Sequence, residues 1–260
     1  MNEDLILEEN VKVHDAESEE YSFLHPEQYN TYQLTVLQNH IGLISDLVSS
    51  KKRDLLDLGC GEGYLTLPFL GAGFSCTSVD VSSGMLEKLK SKIPVDKIHD
   101  VKLVNKDIRD YVRSCRKNFD VIGISGVLHH MKSFDNFIQA VSKRLKKSGF
   151  LFITHEPLKQ NVKPSFGLRM HNLLRLLDEF LYTLTRKPQR YSEKYDYKVT
   201  DYQRQFGGIS PDTLIEVLEK NGLIVLIVSK FCVRRYGLFA FIANEIICSE
   251  NTFAILAFKL

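Results

Sequence analysis

The architecture of this chain turns on Asp54-Leu55-Leu56-Asp57-Leu58-Gly59-Cys60-Gly61-Glu62-Gly63-Tyr64. The apolar run Leu55 to Leu58 is long enough for one buried strand of a parallel sheet. It breaks into a loop with glycine at 59, 61 and 63, residues that accept positive φ and let a ligand come close to the backbone. Tyr64-Leu65-Thr66-Leu67 then starts a helical pattern that Pro68 can join within the first turn. Strand, glycine loop and helix form the unit with which an open α/β sheet builds a nucleotide pocket.

What is missing narrows the ligand. A dinucleotide fingerprint needs a third glycine at 64, where Tyr64 stands, and a phosphate loop needs Lys-Ser/Thr after its glycines, which is absent. An acid, Asp57, ends the strand instead, in the pattern D-x-G-x-G-x-G. A second acid, Asp80, ends the run Cys76-Thr77-Ser78-Val79, where a carboxylate can hydrogen-bond a ribose diol. The pocket therefore suits a nucleoside with a cationic amino-acid arm better than a pyrophosphate.

These residues resemble the class I S-adenosylmethionine-dependent methyltransferases, of the small-molecule type found among quinone-biosynthesis and natural-product enzymes. Leu55 to Gly63 resembles the family's first motif. Val79-Asp80-Val81-Ser82-Ser83-Gly84-Met85-Leu86 is similar to the second, Asn105-Lys106-Asp107-Ile108 to the third, and Phe119 to His130 to the fourth. Leu145 to Ile153 resembles the helix end, glycine turn and fifth strand. The likeness covers roughly residues 50 to 156 and again 208 to 260. It implies an open, doubly wound, mostly parallel seven-stranded sheet of Rossmann-like methyltransferase type, with an antiparallel last strand over Thr252 to Leu260. It also implies S-adenosylmethionine as cofactor. Asp57, Gly59, Cys60 and Gly61 would hold the methionine arm and Asp80 the ribose. Val81, Met85, Asp107 and Ile108 would surround the adenine, and Ser125 and Gly126 would line the methyl-facing edge. Two of these keep a plainer alternative: Met85 as core, and Asp107 as a helix cap.

Composition sets the outer bounds. The chain has 260 residues, 44% hydrophobic and 25% charged, with a net charge of +2. That is an ordinary globule with no overall bias toward nucleic acid or membrane. Five cysteines without a C-x-x-C pair suggest reduced thiols and a cytoplasmic setting. No apolar run approaches a membrane span. The eight histidines show no metal-ligand spacing, so no metal is expected. The neighbours His129 and His130 are expected to face different ways.

Residues 1 to about 20, with eight acids between 2 and 20, are expected to form an acidic mobile tail. A single methyltransferase domain is expected over 21–260, opening with one long helical pattern from Tyr21. Tyr29 and Tyr32 on it pack at the sheet edge or flank the cofactor. Residues 157–207 exceed a minimal core and read as an inserted helical lid over the substrate. A helix from Gly167 to Leu184 carries Leu173, Leu176 or Leu177, Phe180 or Leu181, and Leu184 as its apolar stripe. Arg186 to Phe206 is basic and aromatic, but acids at 193, 196 and 201 break the run and argue against nucleic acid. Gly237 to Ile247 is apolar, fit for a substrate wall or a dimer face.

The implied reaction moves a methyl group to oxygen, nitrogen or carbon of a small-molecule acceptor. Histidine is the natural base where the acceptor must lose a proton. His129, His130 and His155 follow strands at the active edge, with His130 best placed by family register and Glu156 comparable. Two other readings are a regulatory protein that binds the cofactor without turnover, and an RNA or protein methyltransferase. Ser125-Gly126-Val127-Leu128 lacks the N/D-P-P-Y character of amino-directed nucleic-acid enzymes.

Overall fold

The computed structural model describes residues 3–49, 53–159, 166–185 and 197–260. The strands are β1 (Asp54–Leu58), β2 (Ser75–Asp80), β3 (Val101–Asn105), β4 (Phe119–Ser125), β5 (Leu145–Pro157), β6 (Leu223–Phe231) and β7 (Thr252–Lys259). The helices are α1 (Glu3–Glu17), α2 (Tyr21–Leu24), α3 (Pro26–Tyr29), α4 (Thr31–Leu47), α5 (Thr66–Gly71), α6 (Ser83–Lys92) and α7 (Ile108–Ser114). They continue as α8 (Asp135–Ser142), α9 (Phe166–Thr185), α10 (Tyr197–Thr200), α11 (Pro211–Lys220) and α12 (Gly237–Phe241).

The strands form one seven-stranded sheet in the order β3-β2-β1-β4-β5-β7-β6. All neighbours are parallel except β7, which runs against both β5 and β6. This is the doubly wound sheet with a reversed last strand that the motifs imply. The strand order switches at β1, which pairs with β2 on one side and β4 on the other. Chains leaving the carboxyl ends of β1 and β4 run to opposite faces and open a crevice there. Every residue of β1 is buried, as both covered faces require. Leu56, Leu58, Ile122, Ile124, Leu151 and Ile153 pack on one face with Val112, Ile138 and Leu214 of α7, α8 and α11. Leu55, Val121, Phe150 and Phe152 pack on the other with Ile41, Ile44 and Phe69 of α4 and α5.

Several expectations are corrected. The acidic stretch read as a mobile tail is helix α1, with Ile6, Asn10, Val13 and Glu17 buried. Its acids are docking groups rather than solvating ones. Glu3 reaches Arg109, Asp15 accepts from the Ser82 hydroxyl, Glu17 meets His25 and Glu19 meets Lys88. The helical pattern from Tyr21 is three helices, interrupted before Pro26 and restarted at Asn30, whose side chain caps α4 by accepting from Gln33 N. Helix α8 stops at Ser142 and β5 begins at Leu145, earlier than the Ser148-Gly149 turn suggested. The apolar stripe of α9 faces outward: Leu176, Phe180 and Leu184 are 54%, 61% and 66% exposed, while Leu174 and Asp178 turn inward. Residues 186–196 of the basic, aromatic run, including Arg186, Lys187, Arg190, Tyr191, Lys194 and Tyr195, lie outside the described residues. Among the described residues, no helix is long and apolar enough to cross a membrane.

Candidate active site

Two connected cavities occupy the crevice. The smaller, about 150 Å³, is lined by Gly59, Gly61, Asp80, Val81, Met85, Asp107, Ile108, Ser125 and Gly126. Eight residues from four βα junctions, and Met85 a turn further on, thus converge as the motifs imply. The glycine loop is tied to β2, because Gly59 N and Cys60 N both donate to Val79 O, at 2.9 and 3.1 Å. Gly59 has φ +73°, and a Cβ there would sit 2.5 Å from Val127 Cγ2. A side chain at that position is excluded on both counts.

Asp80 is oriented by two amides: Gly61 N donates to Oδ2 at 2.8 Å and Ser82 N to Oδ1 at 2.9 Å. Each oxygen keeps a lone pair for a further donor, which is what a ribose diol supplies. Burial raises the Asp80 carboxyl above its ordinary range, with the two amides and His14 opposing. Met85 is core and cavity wall together: it is 1% exposed and its amide is capped by Ser82 Oγ. Asp107 lines the cavity while acting as the cap of α7. Its carboxylate accepts from Arg109 N at 2.7 Å and from Arg109 Nη2 at 2.6 Å. Burial opposes ionisation of Asp107, but Arg109 prevails and holds it below the usual carboxylate value.

The roof of this cavity comes from α1, through Ile6, Leu7, Asn10 and His14. Sequence reasoning missed it, although Ile6, Asn10, Val13 and Glu17 follow helical spacing. The acids hid the signal, since their partners lie on α6, α7 and the segment after α2.

The second cavity, about 560 Å³, runs from Asp57, Cys60 and Gly61 past Ser125, Gly126 and His130 toward β6. Asp57 is 1% exposed, and its Oδ2 accepts from the Thr66 hydroxyl at 2.7 Å. Its Oδ1 is buried with no hydrogen-bond partner among the described residues. Burial, then the nearby Asp80, pushes Asp57 up to about 7. An ammonium beside Oδ1 would satisfy the orphaned atom and restore the ionised form. Asp57, Asp80 and the apolar wall thus fit the three parts of S-adenosylmethionine. Cys60 is 3% exposed, and burial pushes its thiol well above the ordinary value, so it is a wall and not a nucleophile.

Among the proton-transfer candidates, Glu156 does not face the cavity. It is fully buried, with Val127 N and Leu128 N donating to Oε1, both at 2.8 Å, and His129 N and Nδ1 meeting Oε2 at 3.1 and 3.0 Å. A carboxylate enclosed this way positions the loop after β4 and has no free edge for a substrate proton. His155 has φ +57° and lies against Tyr64, with burial lowering it to about 4. His130 lines both cavities. Its Nδ1 donates to Thr200 O at 2.7 Å, which leaves the lone pair on Nε2. Burial, followed by the His129 charge, holds His130 well below its ordinary value. His129 moves the other way: burial alone would lower it, but Asp201 and Glu156 raise it.

The two histidines do meet, contrary to the expectation from their adjacency. A 3-10 turn over Leu128–His130 brings their ring centroids to 4.0 Å. Asp201, contributed by the segment after α10, lies 3.6 Å from His129 Nε2 and 3.6 Å from His130 Nδ1. Among the described residues, His129, His130 and Asp201 form the one group whose potential metal donors gather, within 4.8 Å of one another. Asp201 and Thr200 could not be assigned from sequence, because no local pattern ties residue 200 to residue 130.

An open sheet of this order, with acids and glycines gathered at the β1/β4 switch, defines the class I methyltransferase fold. Residues 56–153 match the family model described as a methyltransferase domain. The chain is 35% identical over 105 residues to a ubiquinone biosynthesis O-methyltransferase of Pelagibacter ubique, covering 40% of this chain and 42% of that protein. It is 26% identical over 173 residues to the mitochondrial ubiquinone biosynthesis O-methyltransferase of Homo sapiens, covering 66% of this chain and 41% of that one. The chain thus spans about two-fifths of the length of these relatives. A solved S-adenosylmethionine-dependent methyltransferase from Archaeoglobus fulgidus shares the fold, with TM-score 0.56 and 17% identity over 92% of this chain and 99% of that one.

Proposed function

We propose that this protein transfers a methyl group from S-adenosylmethionine to a small-molecule acceptor held in the larger cavity. The observation that carries this reading is the pair of carboxylates at the ends of β1 and β2. Asp80 is aimed by two amides beside an apolar slot, and Asp57 presents a buried, unpartnered oxygen to the adjoining chamber. When bound, S-adenosylmethionine supplies an electrophilic methyl group on a positively charged sulfur. Asp80 would hold the ribose hydroxyls, Asp57 the ammonium, and Val81, Met85 and Ile108 the base.

The chain's own contribution is position and proton transfer. Gly126 and Ser125 line both cavities, so the acceptor meets the methyl donor beside them. His130 takes the proton of a hydroxyl acceptor on Nε2, while Thr200 O holds the hydrogen on Nδ1. Asp201 stabilises the imidazolium that results, against the opposing charge of His129. The named relatives are O-methyltransferases, and oxygen is the acceptor atom for which such a base is useful. A chamber of about 560 Å³ is in the range of small-molecule sites, which favours a small acceptor over nucleic acid. The second part of the expected lid supports the substrate role, since Thr200, Asp201 and Arg204 line that chamber. All five cysteines are unpaired, in keeping with a reducing compartment such as the cytoplasm.

Calorimetry with S-adenosylhomocysteine tests the reading. Binding is expected in the micromolar range, and Asp80→Ala should weaken it at least tenfold, about 1.4 kcal/mol. Unchanged affinity in the variant would overturn the ribose assignment.

A further inference from the structure

The larger cavity contains an arginine whose charge no acid among the described residues answers. The other arginines that line it are each paired with an acid. Arg235 bridges Asp178 at 3.0 Å, Arg175 bridges Glu179 at 2.8 Å and Arg204 meets Asp201 at 3.3 Å. His25 lies 3.3 Å from both Glu17 and Glu27. Arg234 lines the same chamber and is only 6% exposed, yet no carboxylate among the described residues lies within ion-pair distance of it. Its Nη1 donates to Val233 O at 3.3 Å and its Nη2 to His171 O at 3.4 Å, both long contacts. Nη2 also lies 3.2 Å from both ring nitrogens of His171. Burial, then Arg234 itself, lowers that imidazole to about 4, so it is neutral near pH 7. Arg234 Nε is buried with no hydrogen-bond partner among the described residues.

A buried guanidinium facing neutral groups is costly, and the cost is recovered only when an anion arrives. Its planar fork matches a carboxylate, two parallel N–H donors to two oxygens. Position in the sheet indicates whose carboxylate. Arg234 follows β6, the outermost strand, separated from the β1/β4 switch by β5 and β7. It lines the larger cavity and not the nucleoside slot.

We infer that Arg234 selects the acceptor: the substrate of this methyltransferase carries a carboxylate, which Arg234 binds at the end of the chamber away from the nucleoside. The inference rests on the methyltransferase reading and deepens it by naming the substrate class. The cofactor also has a carboxylate on its amino-acid arm, so the test separates the two sources.

The experiment is calorimetry on the full chain saturated with S-adenosylhomocysteine. The probes are two matched pairs, benzoate with benzamide and hexanoate with hexanamide. In the wild type at least one carboxylate should bind tenfold or more tightly than its amide. Arg234→Met should erase that preference while leaving amide affinity, and the affinity for S-adenosylhomocysteine, within threefold. Arg234→Lys should keep part of the preference, and the wild-type comparison stands even if Arg234→Met folds poorly. Equal binding of carboxylate and amide in both pairs overturns the inference, as does a preference that survives Arg234→Met. A loss of S-adenosylhomocysteine affinity in Arg234→Met that matches the loss of benzoate affinity would assign the arginine to the cofactor's carboxylate instead. Intact cofactor binding without an anion preference defeats this inference alone, whereas no cofactor binding at all defeats the methyltransferase reading as well.

Discussion

Removing the Glu156 carboxylate should unfold the protein more readily, because that group accepts from three consecutive amides. Val127 N, Leu128 N and His129 N all donate to it, and His129 Nδ1 adds a fourth contact at 3.0 Å. In Glu156→Ala these donors lose their acceptor in a fully buried place. An orphaned buried donor costs about 1–3 kcal/mol, and breaking a buried charged network about 3–5 kcal/mol in all. The sum over three amides is reduced by water entering the vacated space, so we expect about 3–5 kcal/mol. For a domain of this size that lowers Tm by roughly 10 °C. Glu156→Gln keeps one acceptor oxygen for Val127 and Leu128 but turns an NH₂ toward the His129 amide, so its loss should be smaller, about 1–3 kcal/mol. Urea denaturation of the cofactor-free proteins measures both. A loss below about 1 kcal/mol in Glu156→Ala, combined with abolished turnover, would show that Glu156 is a base after all and refute the fastening role.

His130→Ala should lower kcat by about 10²–10⁴-fold for an acceptor that must be deprotonated. In the wild type the acidic limb of kcat should lie below pH 6.5 with a plateau above pH 7: below its depressed pKa His130 is protonated and has no lone pair, and above it the base is ready. An acidic limb centred above pH 7 would contradict that order. Because His129, His130 and Asp201 gather their donor atoms within 4.8 Å, a chelator distinguishes a proton relay from a metal site. Turnover unchanged by EDTA is the expected outcome, and a loss restored by a divalent cation would reassign the trio.

How far the site was legible from sequence depended on the range of the interactions involved. The glycine loop, the apolar strand and the acids at strand ends are features of a few neighbouring residues, and Asp57, Asp80 and Met85 stand where those patterns put them. The α9 stripe misled because spacing shows only that Leu176, Phe180 and Leu184 share a face, not what covers it. Charge misled in the same way at α1, where acids that look solvating are answered by Arg109, Lys88 and His25 from other elements.

His130 and Glu156 carry the sharpest version of this contrast. Both are polar residues just beyond or at the end of a strand, so local pattern ranks them alike. The fold turns one into the chamber and encloses the other beneath three amides. Backbone periodicity and steric demands act between near neighbours and are written along the chain. The direction of a side chain, the partner of a charge and the contact of Arg234 with His171 arise between residues far apart in sequence, and exist only once the sheet has assembled.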